Sequence, residues 1–267
     1  MKRSRLVNVV VALVGVVVTC GLPSAGAGPA AAQQADVPAL PAPDLYAGSP
    51  YLRELRNTLV YGEVWERPYL SKRDRSLITI AVLQALAREE LAIHIPRGLD
   101  NGLTPEEISE IILHVTFYAG WPTGVQASLT AAEAFEARGL ALGDLPRAPD
   151  LEEAVTTPGG LSDAYAAVPR LGALRNSLLY GDIWERPTLS KRDRSLVTVA
   201  VNQALYVTNE LRLHIDRALD QNGVTPQELS EVVLHVTFYA GWPAAVNAGR
   251  LLTAAFRARD VAFADLK

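Results

Sequence analysis

The chain has 267 residues, of which 49% are hydrophobic and 20% charged, with a formal net charge of −4. That is enough apolar material for a sizeable core in one or two domains. Lys2, Arg3 and Arg5 stand in a first segment without an acid, so the chain beyond it carries about −7, three cations fewer than the −4 of the whole, and a mildly acidic body gives no electrostatic basis for nucleic acid as a partner. Cys20 is the single cysteine. Everything after it excludes disulfides, cysteine-based zinc sites, thiol peroxidase chemistry and cysteine nucleophiles.

The N-terminus has the order of a secretory signal peptide over residues 1–32. A basic stretch, Lys2-Arg3-Ser4-Arg5, precedes an apolar run from Leu6 to Thr19, and Ala25-Gly26-Ala27 and Ala30-Ala31-Ala32 then offer two cleavage sites. The expected location is therefore outside the cytoplasm, secreted or in the cell envelope, with no membrane contact after cleavage. An uncleaved anchor is the alternative, for which the run is short; lipid attachment at Cys20 is a third, in which Thr19 is a poor preceding residue. Residues 33–50 are Pro/Ala-rich and aperiodic and read as a flexible lead-in.

Next comes a sequence that is written twice. Leu55-Arg56-Asn57-Thr58-Leu59-Val60-Tyr61-Gly62-Glu63-Val64-Trp65-Glu66-Arg67-Pro68 returns 119 residues later as Leu174-Arg175-Asn176-Ser177-Leu178-Leu179-Tyr180-Gly181-Asp182-Ile183-Trp184-Glu185-Arg186-Pro187. The offset is 120 at His94/His214 and 121 at His114/His235. A repeat this long is a duplicated domain, expected at 51–138 and 170–267 with a Gly/Pro-rich linker over 139–169. Within each copy the signals are helical and no alternating strand pattern is present, so the fold class is all-α. Ser71 and Ser190 are placed to cap a buried helix, and Thr104-Pro105-Glu106-Glu107 and Thr225-Pro226-Gln227-Glu228 carry capping-box order. Gly120 and Gly241 suit helix ends. Pro96 predicts a break or kink, where the second copy has Asp216.

Four histidines follow the apolar N-terminal segment, in two matched pairs. His94 lies four residues after Glu90, and His214 four after Glu210. On a helix these share a face, so the carboxylate either orients an acid/base imidazole or forms an ordinary surface pair; a metal site using Glu90, His94 and His114 is a weaker third reading. His114 and His235 sit in Leu-His-Val-Thr-Phe-Tyr-Ala-Gly-Trp-Pro, either as hydrogen-bonded core histidines or as a pocket wall. Arg75 and Arg194 belong either to a solvated first turn or to a carboxylate grip. Glu63/Asp182 and Trp65/Trp184 either line a pocket mouth or fasten their loop to the helices.

Taken together, Tyr-Gly-Glu-Val-Trp-Glu-Arg-Pro, Arg-Asp-Arg-Ser-Leu-Ile-Thr-Ile-Ala, Glu-Leu-x-x-His and Leu-His-Val-Thr-Phe-Tyr-Ala-Gly-Trp-Pro resemble the carboxymuconolactone decarboxylase family, over roughly 51–137 and 170–257. The alkylhydroperoxidase-like branch of the wider family carries Cys-x-x-Cys-x-x-x-His. Here Ala87 and Glu90, and Val207 and Glu210, hold the cysteine positions, which disfavours peroxidase activity. The resemblance implies two tandem all-α domains in a ring-like oligomer, for a tandem chain a trimer with pseudo-hexameric symmetry. It also implies a lyase, without metal or organic cofactor, acting on a small carboxylate or lactone. On that reading His94 and His214 are the acid/base residues, oriented by Glu90 and Glu210, and Arg75 and Arg194 anchor the anion; Glu63, Asp182, Trp65, Trp184, His114 and His235 complete the substrate sites. A non-catalytic oligomer that binds a small anion is the alternative function.

Overall fold

The computed structural model describes residues 44–145, 165 and 167–267. The expected signal segment 1–32, residues 33–43 of the lead-in and most of the linker lie outside the described residues. Tyr46–Lys267 form one compact unit. The described elements are helical throughout, as the patterning requires. The first copy holds α1 (Pro50–Leu55), α2 (Lys72–Ala85), α3 (Leu91–Asp100), α4 (Pro105–Ala119) and α5 (Trp121–Glu136); the second holds α6 (Pro169–Leu174), α7 (Lys191–Ala204), α8 (Thr208–Asp220), α9 (Pro226–Ala240) and α10 (Trp242–Arg257). Among the described residues no helix is long and apolar enough to cross a membrane.

The helix starts follow from local chemistry. The Ser71 and Ser190 hydroxyls accept from the Asp74 and Asp193 amides, and Thr104 and Thr225 form complete capping boxes with Glu107 and Glu228. Each device satisfies amide groups that the first turn leaves without helical partners. Gly120 and Gly241 join α4 to α5 and α9 to α10 at φ of 92° and 90°, in the region that favours glycine. Pro96 does not break α3: the helix continues through it to Asp100. The carbonyl that loses its donor is that of Ala92, on the exposed face, where water can replace the missing amide.

α2 and α7 pack against each other at the centre, across the two copies. Their apolar runs are buried on all sides: Leu77 to Val82 and Leu196 to Val201 are shut off from solvent. α4 packs on both α2 and α7, and α9 on both α7 and α2. This crossing decides which residues meet, because it carries the face of α4 that bears His114 onto the second copy and the face of α9 that bears His235 onto the first. A ring of ion pairs ties the copies together: Arg73 reaches Asp193 at 3.0 Å and also Glu107, while Arg192 reaches Asp74 at 2.8 Å and also Glu228.

Candidate active sites

Each site begins with a π-helical stretch, Arg56–Val60 in the first copy and Arg175–Ile183 in the second. The widened turn needs glycine: a Cβ on Gly62 would lie 2.5 Å from the Thr58 carbonyl oxygen, and one on Gly181 2.9 Å from that of Asn176. Such stretches are frequent at functional sites. The chain then brings Trp65 and Trp184 inward, where Lys72 and Lys191 donate to their carbonyls at 2.8 and 2.7 Å.

Around Trp65 the site is assembled from both copies. Its indole N–H donates to Tyr239 Oη at 3.0 Å. Its ring stacks on Tyr61 at 5.8 Å and on His94 at 6.3 Å, and meets His235 edge-on at 5.1 Å. His94 meets Tyr239 edge-on at 5.6 Å, and His235 stacks on Tyr239 at 5.2 Å. The second site repeats this with the copies exchanged. Trp184 donates to Tyr118 Oη at 2.9 Å and stacks on His214 at 5.9 Å, His114 meets Trp184 at 5.1 Å, and Tyr118 meets His214 at 5.5 Å. His94 therefore shares a site with His235, and His214 with His114. A site holding the His94 and His114 of one copy does not form.

The two histidine types have different duties. His235 Nε2 lies 2.8 Å from Thr79 Oγ1, whose hydrogen is given to the Arg75 carbonyl at 2.7 Å. Thr79 must then accept, which assigns the proton to His235 Nε2 and turns the Nδ1 lone pair toward Arg75 Nη1 at 3.5 Å. His114 is held the same way by Thr198 and Arg194. Burial, reinforced by the adjacent guanidinium, keeps both well below the usual histidine range. His94 and His214 are 6% and 3% exposed, and neither Nδ1 has a hydrogen-bond partner among the described residues. Burial, with a smaller contribution from Arg97 or Arg217, lowers each to about 4. They are neutral and uncommitted at pH 7.

Several expected site residues are placed elsewhere. The Glu90 and Glu210 carboxylates are exposed, and among the described residues neither hydrogen-bonds to the His94 or His214 ring. Glu90 occupies the N-cap of α3 and Glu210 the first turn of α8, so the four-residue spacing survives while the carboxylates face water and the imidazoles face the core. Arg75 and Arg194 are not free to anchor an anion. Both are 0% exposed, and each is paired with a carboxylate from the opposite copy, Arg75 with Glu231 at 3.1 Å and Arg194 with Glu110 at 3.0 Å. A guanidinium buried this deeply requires that counter-charge. Glu63 is exposed and Asp182 half-buried, and neither side chain hydrogen-bonds into a site. Tyr118, Tyr239, Thr79, Thr198, Glu110 and Glu231 were not singled out from the sequence. The signal was present for the tyrosines and acids, since they stand four residues after and four before His114 and His235, on the same helical face.

The lowered histidines make the fold acid-sensitive. An unfolded histidine binds its proton near the ordinary 6.5, whereas His94 and His214 in the fold do so near 4. Stability is therefore complete above the unfolded value and falls as pH drops from 6.5 toward 4, by about 2 kcal/mol per histidine by pH 5. Urea denaturation at pH 7 and pH 5 should show this loss, and His94→Gln/His214→Gln should make it shallower. Equal stability at the two pH values contradicts the burial assignment.

Residues 50–134 and again 169–254 match the carboxymuconolactone decarboxylase family. The 4-carboxymuconolactone decarboxylase of Acinetobacter baylyi is 49% identical over 82 residues, 30% of this chain and 61% of that protein. The nitrosuccinic acid decarboxylase npaB of Metarhizium robertsii is 36% identical over 78 residues, 29% of this chain and 54% of that protein. The matches thus span somewhat more than half the length of these relatives. With both copies matched and the helical repeat built as described, the chain belongs to the carboxymuconolactone decarboxylase family.

Proposed function

We propose that the chain is a cofactor-independent carboxy-lyase with two composite sites, acting on a small carboxylate or lactone-type acid. The observation that carries this reading is the enclosed imidazole of His94, repeated at His214: neutral, aromatic-walled and with a ring nitrogen unpartnered. Loss of carbon dioxide leaves an electron pair on carbon, and the product needs one proton there. An anionic substrate bound beside His94 favours its charged form, so the imidazole takes up a proton on binding and delivers it to the carbanion carbon as carbon dioxide leaves. The Tyr239 hydroxyl accepts from Trp65 and also lies against Thr79; with substrate bound, its hydrogen turns to an enolate-like oxygen. Burial raises the Tyr239 phenol, so that hydrogen is retained. The aromatic walls exclude water, which destabilises a localised carboxylate more than the delocalised charge that replaces it. Names of relatives that contain the word decarboxylase support the same reaction class.

Export is part of the proposal, supported by the basic, apolar and alanine-rich order of residues 1–32. So is self-association as a trimer. Trp121 and Trp242 are 69% and 71% exposed at the edges of apolar grooves of about 380 and 410 Å³, one on each copy. The test of function is to incubate the purified protein with a panel of lactone acids and activated carboxylic acids in D₂O. Carbon dioxide release with one deuterium on the product carbon is expected. Binding of these acids with no turnover would instead establish an anion-binding protein.

A further inference from the structure

With Arg75 and Arg194 neutralised by buried acids, the sites need another source of positive charge for an anionic ligand. Eight of the arginines are already paired with acids: Arg67, Arg73, Arg75 and Arg138, and Arg186, Arg192, Arg194 and Arg259. Arg97 and Arg217 do not form an ion pair with any acid among the described residues. Each stands three residues after the site histidine, on the same helical face. Arg97 donates to Tyr61 Oη and lies 5.0 Å from that ring's centre; Arg217 donates to Tyr180 Oη at 2.6 Å and lies 4.8 Å from its ring.

A second guanidinium sits on the same ring in each copy, Arg56 at 4.6 Å and Arg175 at 4.7 Å, and these too form no ion pair among the described residues. Each tyrosine stacks in turn on the tryptophan that faces the histidine. Arg97 and Arg217 are half-buried, which strengthens their attraction for an anion while leaving them reachable. An aromatic ring with a hydroxyl acceptor fixes the guanidinium fork in one orientation without neutralising it. Two cations are thus held at the edge of each site with their charge unmatched, and the arrangement occurs twice.

We propose that Arg97 and Arg217 are the anion-recognition residues of the two sites, with Tyr61 and Tyr180 as the residues that position them. The arginine takes a carboxylate of the ligand at the site edge, and the rest of the molecule extends along the tryptophan to His94 or His214. This rests on the reading of the site as one for a small acid, and it assigns the recognition that Arg75 and Arg194 cannot provide.

The test measures binding separately from turnover, with succinate as the anionic probe and succinamide as its uncharged counterpart, by calorimetry on the full chain. The wild type should bind succinate at millimolar concentration and prefer it to succinamide. Arg97→Gln/Arg217→Gln should weaken succinate binding at least about tenfold, the loss of a hydrogen bond to a charged group, and leave succinamide binding unchanged. Arg97→Lys/Arg217→Lys should restore part of it, which shows that the glutamine variant lost recognition rather than its fold. Arg138→Gln should have no effect. Absence of succinate binding by the wild type, or equal affinity in the glutamine variant, overturns the proposal. Succinate binding that is lost in the variant, from a protein that releases no carbon dioxide from any acid, sustains the recognition site and overturns the lyase reading alone.

Discussion

Alanine at both His94 and His214 should abolish turnover, whereas either replacement alone should leave about half of it, because the two sites are built alike and lie in separate aromatic enclosures. Removing a positioned proton donor typically costs 10²–10⁴-fold in rate, and the double variant should fall in that range at saturating substrate. Neither Nδ1 makes a hydrogen bond among the described residues, so deleting the ring orphans no partner. Initial rates of the two singles and the double, each normalised to native circular dichroism, check this. A double variant with wild-type turnover means the proton comes from another group. Glu90→Gln/Glu210→Gln, by contrast, should leave rates within about twofold, a change worth less than 0.5 kcal/mol, because those carboxylates face water.

The largest stability effect is expected at Glu231. This carboxylate is nearly inaccessible, accepts from Arg67 Nε at 2.8 Å and pairs with fully buried Arg75. Glu231→Ala leaves the Arg75 guanidinium in the core without its counter-charge, which typically costs 3–5 kcal/mol. For a unit of this size the melting temperature should drop by about 10 °C. The pair joins the two copies, so the loss acts on their packing as well as on the first site. Glu110→Ala should do the same through Arg194 and Arg186. Arg75→Met/Glu231→Met, which removes both charges, should be less harmful than Glu231→Ala alone. Calorimetric melting checks the order; equal melting temperatures for Glu231→Ala and the wild type would show that Arg75 reaches water.

What could be read in the sequence was what neighbouring residues determine. Ser71, Thr104, Gly120 and their repeats act within one turn of themselves, so their capping and terminating roles follow from spacing alone. The duplication and the helical class follow from long-range self-similarity and apolar periodicity. The composite sites depend on something spacing does not encode: α4 and α9 cross to the opposite copy, and a repeat compared with itself pairs His94 with His114 by default. The Glu90–His94 spacing shows the complementary limit. Four residues bring two side chains to one side of a helix, but at its first turn that side still meets water: Glu90 at the cap of α3 and Glu210 in the first turn of α8 stay exposed while the imidazoles one turn on are buried. Arg75 was legible as a residue suited to a carboxylate; that the carboxylate is the protein's own Glu231, 156 residues away, was not.

Each site is built across the copies, which can be tested without reference to any substrate. His94 lies against the Tyr239 ring and His214 against the Tyr118 ring, so each histidine's Cε1 proton senses the ring current of a tyrosine from the other copy. In the NMR spectrum, Tyr239→Leu should move the His94 Cε1–H resonance and leave His214 in place, and Tyr118→Leu should move His214 and leave His94 in place. If Tyr118→Leu moves His94 while Tyr239→Leu does not, each site is instead built within a single copy.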